Sequence, residues 1–516
     1  MTDLLLVNGT ILTMDPHPSA GNAIAVRDGK IFALGDRSHL ETVTSAHTGI
    51  IDLKGRTILP GFIDAHLHFR ALAESLVAIS LEPQSGIRSI SDILNRICQE
   101  TQKLPPGTWI RAGGYNEIYL AEKRHPDRLD LDKAAPLHPV KLTHRSGHAH
   151  VLNSLGLKLA RIYRETDDPL EGIIDRNLDT GEPTGVLWGL NDFLSQRIPE
   201  IGEKLLLQGV KQAEQKLLSF GITSFQDASP RNNRKRWQWY EGLKDRGQLK
   251  PRTTMMVGIE GLKEHEAEAY SGRIDANDLC LSGVKIVIDE TTGSLHPDLE
   301  TLKEMINAIH QAGHQVALHA IEPSAIEAAG EALSCALNIF PRKGHRHRIE
   351  HCSVCPPELI QKIASLGVMV TTHPAFLYYS GDRYLKTVPV NQQAHLYPIA
   401  SLFRAGIVVV AASDAPIVNA IPIPGIYSAV TRLSETGNVI LKNEALPPEK
   451  ALQMYTLNPA MALFQEKTKG TVSPGKLADF AVLSDNPLTV PENSIKDLTV
   501  VMTIIGGEIV WTRKDA

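Results

Sequence analysis

At 516 residues the chain is too long for one compact core and predicts two or three structural units. A hydrophobic share of 42% fits a globular protein, and a net charge of −5 leaves no basic footprint for nucleic acid. No apolar run reaches the ~20 residues of a membrane helix, the first residues carry no secretory pattern, and five cysteines predict a reducing, cytoplasmic setting without a disulfide framework.

Residues 1–57 read as short β runs, LLLVNGTILTMD, AIAVRDGKIFALG and GIIDLKG, broken by Asn-Gly, Asp-Gly and Lys-Gly turns. Residues 465–516 have the same texture, in GTVSPGKLADFAVLS and VVMTIIGGEIVWT. Neither end buries much alone, so the two are expected to pair into one small composite β-sandwich. Between them, over residues 58–464, apolar strands alternate with helical stretches, as in parallel βα units. The strands are TILPGFIDAH, GITSFQDA, PRTTMMVGI, GVKIVID, QVALHA, RIEH, GVMVTTHP and GIVVVAASD. LLLQGVKQAEQKLLSF and LETLKEMINAIHQAG are among the helices between them. Eight such units predict an α/β fold, a (β/α)8 TIM barrel with its active site at the C-terminal strand ends. Residues 75–200 interrupt the alternation after the first strand and predict an inserted subdomain over the barrel mouth, shaping a substrate pocket.

Side chains two apart on an extended strand share a face. His66 and His68 therefore present two imidazoles together at the end of the first barrel strand, enough to grip one divalent metal. Later strands end in matching residue types: Lys285, His319, His351 and Asp414. Barrel active sites lie at those ends, so the six are expected to converge on a metal centre. An ammonium has no lone pair to offer. Lys285 becomes useful if burial lowers its pKa and the free amine adds CO2, because the resulting carbamate has two oxygens and can bridge two metals. The competing reading pairs Lys285 with Asp289 or Glu290. Asp414 follows a very apolar strand, where a carboxylate needs a partner, and it suits a general base that also touches metal.

Other motifs read differently. His345-Arg346-His347 sits among Lys and Arg and is expected to be a solvated basic loop. His148-Ala149-His150, in the insertion, predicts a structural or substrate-contact role. Cys352 and Cys355 lack the second pair a zinc ribbon needs, and His310 and His314 lack the glutamate of His-Glu-X-X-His and suit a helix C-terminus. His373, ending the seventh strand, is expected to touch substrate or a ligand at the mouth. Tyr115, Asn116, His144, Arg145 and His148 are candidate substrate contacts, against a reading of the arginine as a surface salt bridge. Trp237, Trp239 and Tyr240 predict a helix packed on the barrel rim.

Taken together, ILPGFIDAHLHF, GVKI, VALHAIE, RIEHC and ASDAP resemble the metal-dependent amidohydrolase superfamily. LDKAAPLHPVKLTHRSGHAHVLNSLGL, GEPTGVL, TLNPAMAL and GTVSPGKLADFAVL narrow the resemblance to amidohydrolase family 3, the N-substituted formamide deformylase-like group, over essentially the whole chain. The resemblance implies a (β/α)8 barrel with a sandwich from both termini. It implies that His66 and His68 bind the more buried metal, a carboxylated Lys285 bridges, and His319 and His351 hold the second metal. Asp414 would be ligand and proton shuttle, and a homodimer would be the usual assembly. The chain departs from the family at IVIDETTGS after Lys285, at Glu322-Pro323, and at Gly114-Tyr115-Asn116. These departures bear on substrate more than on metal chemistry.

The expected activity is hydrolysis of a non-peptide C–N bond in an amide-like small molecule, by attack of a metal-bound hydroxide, with zinc as the default metal and two ions expected per chain. A heterocycle deaminase with a single metal is the alternative, and Lys285 argues against it. A non-catalytic amidohydrolase-like scaffold normally shows a broken ligand set, and here the set is complete.

Overall fold

The structure is a computed structural model that describes residues 2–16, 21–170, 172–265 and 278–514. Its centre is a parallel eight-stranded sheet whose spatial order follows the chain. The strands are β1 (Phe62–Leu67), β2 (Ile222–Asp227), β3 (Arg252–Gly258), β4 (Leu279–Val287), β5 (Val316–Ala320), β6 (Arg348–His351), β7 (Met369–Thr372) and β8 (Val409–Ala411). Two backbone hydrogen bonds link the segment after β8 to β1: Asp414 N–H donates to His66 O at 2.8 Å, and His68 N–H donates to Ala415 O at 2.8 Å. The nearly closed sheet is thus drawn together at its C-terminal end, where the candidate site lies.

Local sequence explains where the flanking helices begin. Asn233 caps α1 (Arg234–Asp245) by accepting from Arg236 N, and Asp298 caps α2 (Leu299–Gln311) by accepting from Glu300 N and Thr301 N. Helices α3 (Pro323–Ile339), α4 (Pro357–Ser365) and α5 (Pro374–Thr387) each start on proline, which suits a first-turn position with no N–H to satisfy. The aromatic run lies on α1, where Trp239 and Tyr240 pack near Phe69.

The run TILPGFIDAH, read as one strand, is two. Thr57–Pro60 pairs antiparallel with Phe480–Leu483, while Phe62–Leu67 joins the barrel. Gly61 divides them at a point of close approach, since a Cβ there would lie 2.2 Å from Thr223. A five-stranded sheet runs Thr10–Ile11, Thr57–Pro60, Phe480–Leu483, Val500–Ile505, Glu508–Thr512, and so draws on both ends of the chain. A four-stranded sheet is formed by Lys30–Gly35, Ala23–Arg27, Leu4–Val7 and Gly49–Asp52. One apolar cluster takes Leu6, Ile24 and Val26 from the second sheet and Ile58, Phe480, Val482 and Ile504 from the first.

The His345-Arg346-His347 segment corrects the expectation of a solvated loop. His347 is fully buried and His345 nearly so. Arg346 alone turns to a carboxylate, pairing with Glu466. Arg346 takes a left-handed backbone conformation, φ 50°, and its side chain leaves toward Glu466 while the flanking rings are buried, so its charge says nothing about the two imidazoles.

A second compact unit comprises residues 70–213 and 289–296. It is built on a six-stranded sheet in the order Ile173–Arg176, Pro183–Trp188, Ala149–Leu152, Val140–His144, Ile110–Tyr115, Ile79–Ser80. Leu81, Ile93, Ile97, Leu131, Leu142 and Val151 share its main core. Among the described residues, no helix is long and apolar enough to cross a membrane.

Candidate metal centre

Seven side chains from six barrel strands or the turns directly after them define the site. His66 lies within β1 and His68 one residue beyond it; Lys285 lies in β4, His319 in β5, His351 at the end of β6; His373 and Asp414 follow β7 and β8. His66, Lys285, His351, His373 and Asp414 are buried, and His68 and His319 are half-buried. His351 and Asp414 hold positive φ, 72° and 59°. That left-handed geometry costs on the order of 1–2 kcal/mol per residue and interrupts strand alternation at both positions.

Among the described residues, two groups of potential ligand atoms emerge, each with all its atoms within 4.8 Å of one another: His66, His68 and Asp414, and His66, His351 and His373. In the first, His68 Nε2 lies 3.0 Å and His66 Nε2 3.6 Å from Asp414 Oδ1. In the second, the ring centroid of His66 lies 5.1 Å from that of His351 and 5.3 Å from that of His373. His319 lies against His351, with ring centroids 4.2 Å apart, and belongs to neither group. Lys285 Nζ lies 3.5 Å from His66 Nε2. Burial pulls its ammonium down to about 8, against the pull of Glu350 and Asp414, and Arg348 adds to the fall. A neutral amine of that kind is what CO2 addition requires.

The donors fit a cation. Nε2 of His351 and Nε2 of His373 are buried with no hydrogen-bond partner, and burial holds both rings below the ordinary imidazole range. Buried lone pairs without partners are costly unless something electropositive meets them. Neutral imidazoles with a carboxylate suit zinc and several other divalent metals.

Sequence reading missed the supports. His66 Nδ1 sits 2.5 Å from Glu350 Oε2, so Nδ1–H donates to the carboxylate and the Nε2 lone pair is left toward the donor groups. Arg348 Nε donates to Glu350 Oε1 at 2.7 Å and Arg348 Nη1 to Gln226 Oε1 at 2.8 Å. Burial pushes the Glu350 carboxyl up, but Arg348 and His66 outweigh it and hold it well below the carboxylate range. His68 Nδ1 contacts Ser229 Oγ at 3.0 Å. The available signal was the parity of RIEH: residues 348 and 350 share a strand face, so the arginine and the glutamate travel together.

The candidate substrate residues of the second unit stand apart from this centre in kind. Tyr115 is fully buried, and its hydroxyl meets His125 Nδ1 at 2.8 Å. His144 Nε2 lies 2.8 Å from Glu117 Oε2, whose carboxyl is held down at about 2 by that contact. His150 is buried against Thr143 and Asn191, His148 is exposed, and Arg145 and Asn116 are half-buried and buried respectively. The sequence had signalled neither Glu117 nor His125.

Residues 49–511 match the amidohydrolase family. The chain belongs to the amidohydrolase family. It is therefore an enzyme of a metal-dependent family of carbon–nitrogen hydrolases. It is 26% identical to an N-substituted formamide deformylase from Arthrobacter pascens, over 99% of both chains. It is 29% identical to the putative amidohydrolase YtcJ from Bacillus subtilis, over 98% of both. Among solved structures it resembles an uncharacterized metal-dependent hydrolase from Pyrococcus horikoshii, with a TM-score of 0.76, 25% identity, and coverage of 95% of this chain and 99% of that one.

Proposed function

We propose that this amidohydrolase cleaves a non-peptide C–N bond of an amide-like small molecule at the β-strand mouth, using divalent metal held by His66, His68, Lys285, His319, His351 and Asp414. The observation that carries the reading is the pair of donor groups that share His66, one with His68 and Asp414 and the other with His351 and His373. Zinc is the proposed metal, about two ions per chain, with Lys285 carboxylated by CO2. Bound cations there supply an acidified water and positive charge against a developing oxyanion.

The side chains of the chain do the rest. Asp414 takes the proton of the attacking water and returns it to the leaving nitrogen, which departs poorly unless protonated. Glu350 fixes the tautomer of His66, and Arg348 fixes Glu350. The two end sheets act as one sandwich, the enzyme is cytoplasmic, and it assembles as a homodimer by analogy with the family. A single-cation deaminase is the second reading, favoured by the sharing of His66 between both donor groups.

The test is a screen of metal-free and zinc-reloaded protein on formamides, N-acyl amines, cyclic ureas and N-acyl amino acids, with ammonia release followed in parallel. The similarity to a formamide deformylase puts formamides first. Zinc-dependent release of an amine or a ring-opened product supports the proposal. Turnover that releases only ammonia from a heterocycle selects the deaminase.

A further inference from the structure

We infer that His373 is itself a metal ligand, giving the centre a donor from the seventh strand in addition to the six positions above. The inference rests on the reading that the mouth cluster binds metal. The argument is one of tautomer and position. His373 Nδ1 lies 3.1 Å from the carbonyl oxygen of Ala412. A carbonyl only accepts, so Nδ1 carries the proton and Nε2 carries a lone pair. The ring is fully buried and stacks on Phe376 with centroids 5.0 Å apart, so it has little freedom to turn that nitrogen elsewhere. Nε2 has no hydrogen-bond partner, and it lies within 4.8 Å of ligand atoms of His66 and His351.

This removes the role expected from sequence in its simplest form. A carbonyl or carboxylate of a substrate needs a donor, and Nε2 of His373 can only accept. A cation satisfies it directly. The same cation would satisfy His351, whose Nε2 is also without a partner and whose ring centroid lies 4.5 Å from that of His373. Three imidazoles, His66, His351 and His373, are the protein-ligand count that catalytic zinc sites commonly use. His66 limits the arrangement, because its Nδ1 is taken by Glu350 and its single Nε2 lone pair serves one cation at a time. A cation on the three-imidazole group therefore leaves His68 and Asp414 to draw their metal from other donors, Lys285 among them.

The experiment compares wild type with His373→Gln and His373→Ala after chelator treatment and reloading. Zinc content is read by elemental mass spectrometry, affinity by competition with a chromogenic chelator, and ligand field by the visible spectrum of the cobalt(II) form. The inference expects at least tenfold weaker binding of one cation in both variants, with an altered cobalt spectrum. Variants with wild-type affinity and an unchanged spectrum overturn it. Wild-type protein that takes up no zinc overturns the metal reading instead, which keeps the two failures apart. Crystals of zinc-loaded wild type settle the matter if neither variant folds: an anomalous peak about 2.1 Å from His373 Nε2 supports the inference, and zinc bound only elsewhere contradicts it.

Discussion

Two histidine clusters occupy opposite ends of the same barrel strands, and both begin from a His-X-His motif. At the N-terminal end, all the ring nitrogens of His310, His345 and His347 have partners. His347 Nδ1 accepts from Val316 N–H at 3.0 Å, its Nε2 lies 2.9 Å from His310 Nδ1, and His310 Nε2 donates to Phe340 O at 2.6 Å. His345 Nε2 donates to Leu366 O, and its Nδ1 accepts from His347 N–H, both at 3.0 Å. At the C-terminal end, His351 and His373 keep buried Nε2 atoms without partners. The difference teaches that burial alone does not make an imidazole a ligand. The two clusters differ in the lone pairs left over: among the N-terminal rings none remains, whereas His351 and His373 each keep an Nε2 that no group of the fold meets.

The comparison can be broken at either end. Asp414→Asn should retain its metal and lose about a thousandfold in kcat, measured with any substrate the screen supplies; near-normal turnover would remove Asp414 as the base. Glu350→Gln keeps the shape beside His66 but not the charge, and should weaken zinc binding by ~10–100-fold in chelator competition. His347→Ala, at the other end, should leave zinc content untouched. It strands the Val316 N–H and a His310 nitrogen, so urea unfolding should show a loss of about 2 kcal/mol. Loss of metal from that variant would mean the two clusters are not independent.

The smallest effect is one of pH. Burial, with His345, Arg342 and His310 adding to it, pulls His347 down to about 2. The unfolded chain therefore takes up this proton first, near the ordinary imidazole value of about 6.5. The contribution of His347 is complete above that pH and is progressively lost as pH falls below it, with the slope set by the proton that the unfolded chain binds first. Chemical unfolding of wild type at stepped pH should show this slope, and His347→Ala should flatten it.

Much of this was legible in the chain. Most barrel strands contain an apolar run, and the RIEH strand spans the same four residues in the structure as in the sequence reading. His66, Lys285, His351 and Asp414 stood out as polar groups ending apolar strands, and all four are brought together. Glu350 and Arg348 were not seen because an Arg and a Glu two apart on a strand look like a solvated ion pair; only closure of the barrel turns that face inward. The basic setting of His345 and His347 misled for the converse reason, since Arg346 projects to Glu466 while its neighbours do not. The division of TILPGFIDAH at Gly61 depended on Thr223, a residue far away in sequence.

The central claim is that the C-terminal cluster holds divalent cations through lone pairs the fold leaves without partners. Elemental analysis of metal-free protein reloaded with zinc in bicarbonate tests it most directly. The account predicts about two zinc ions per chain, falling when His66 is replaced and unchanged when His347 is replaced. Protein that remains folded and empty after reloading would contradict it.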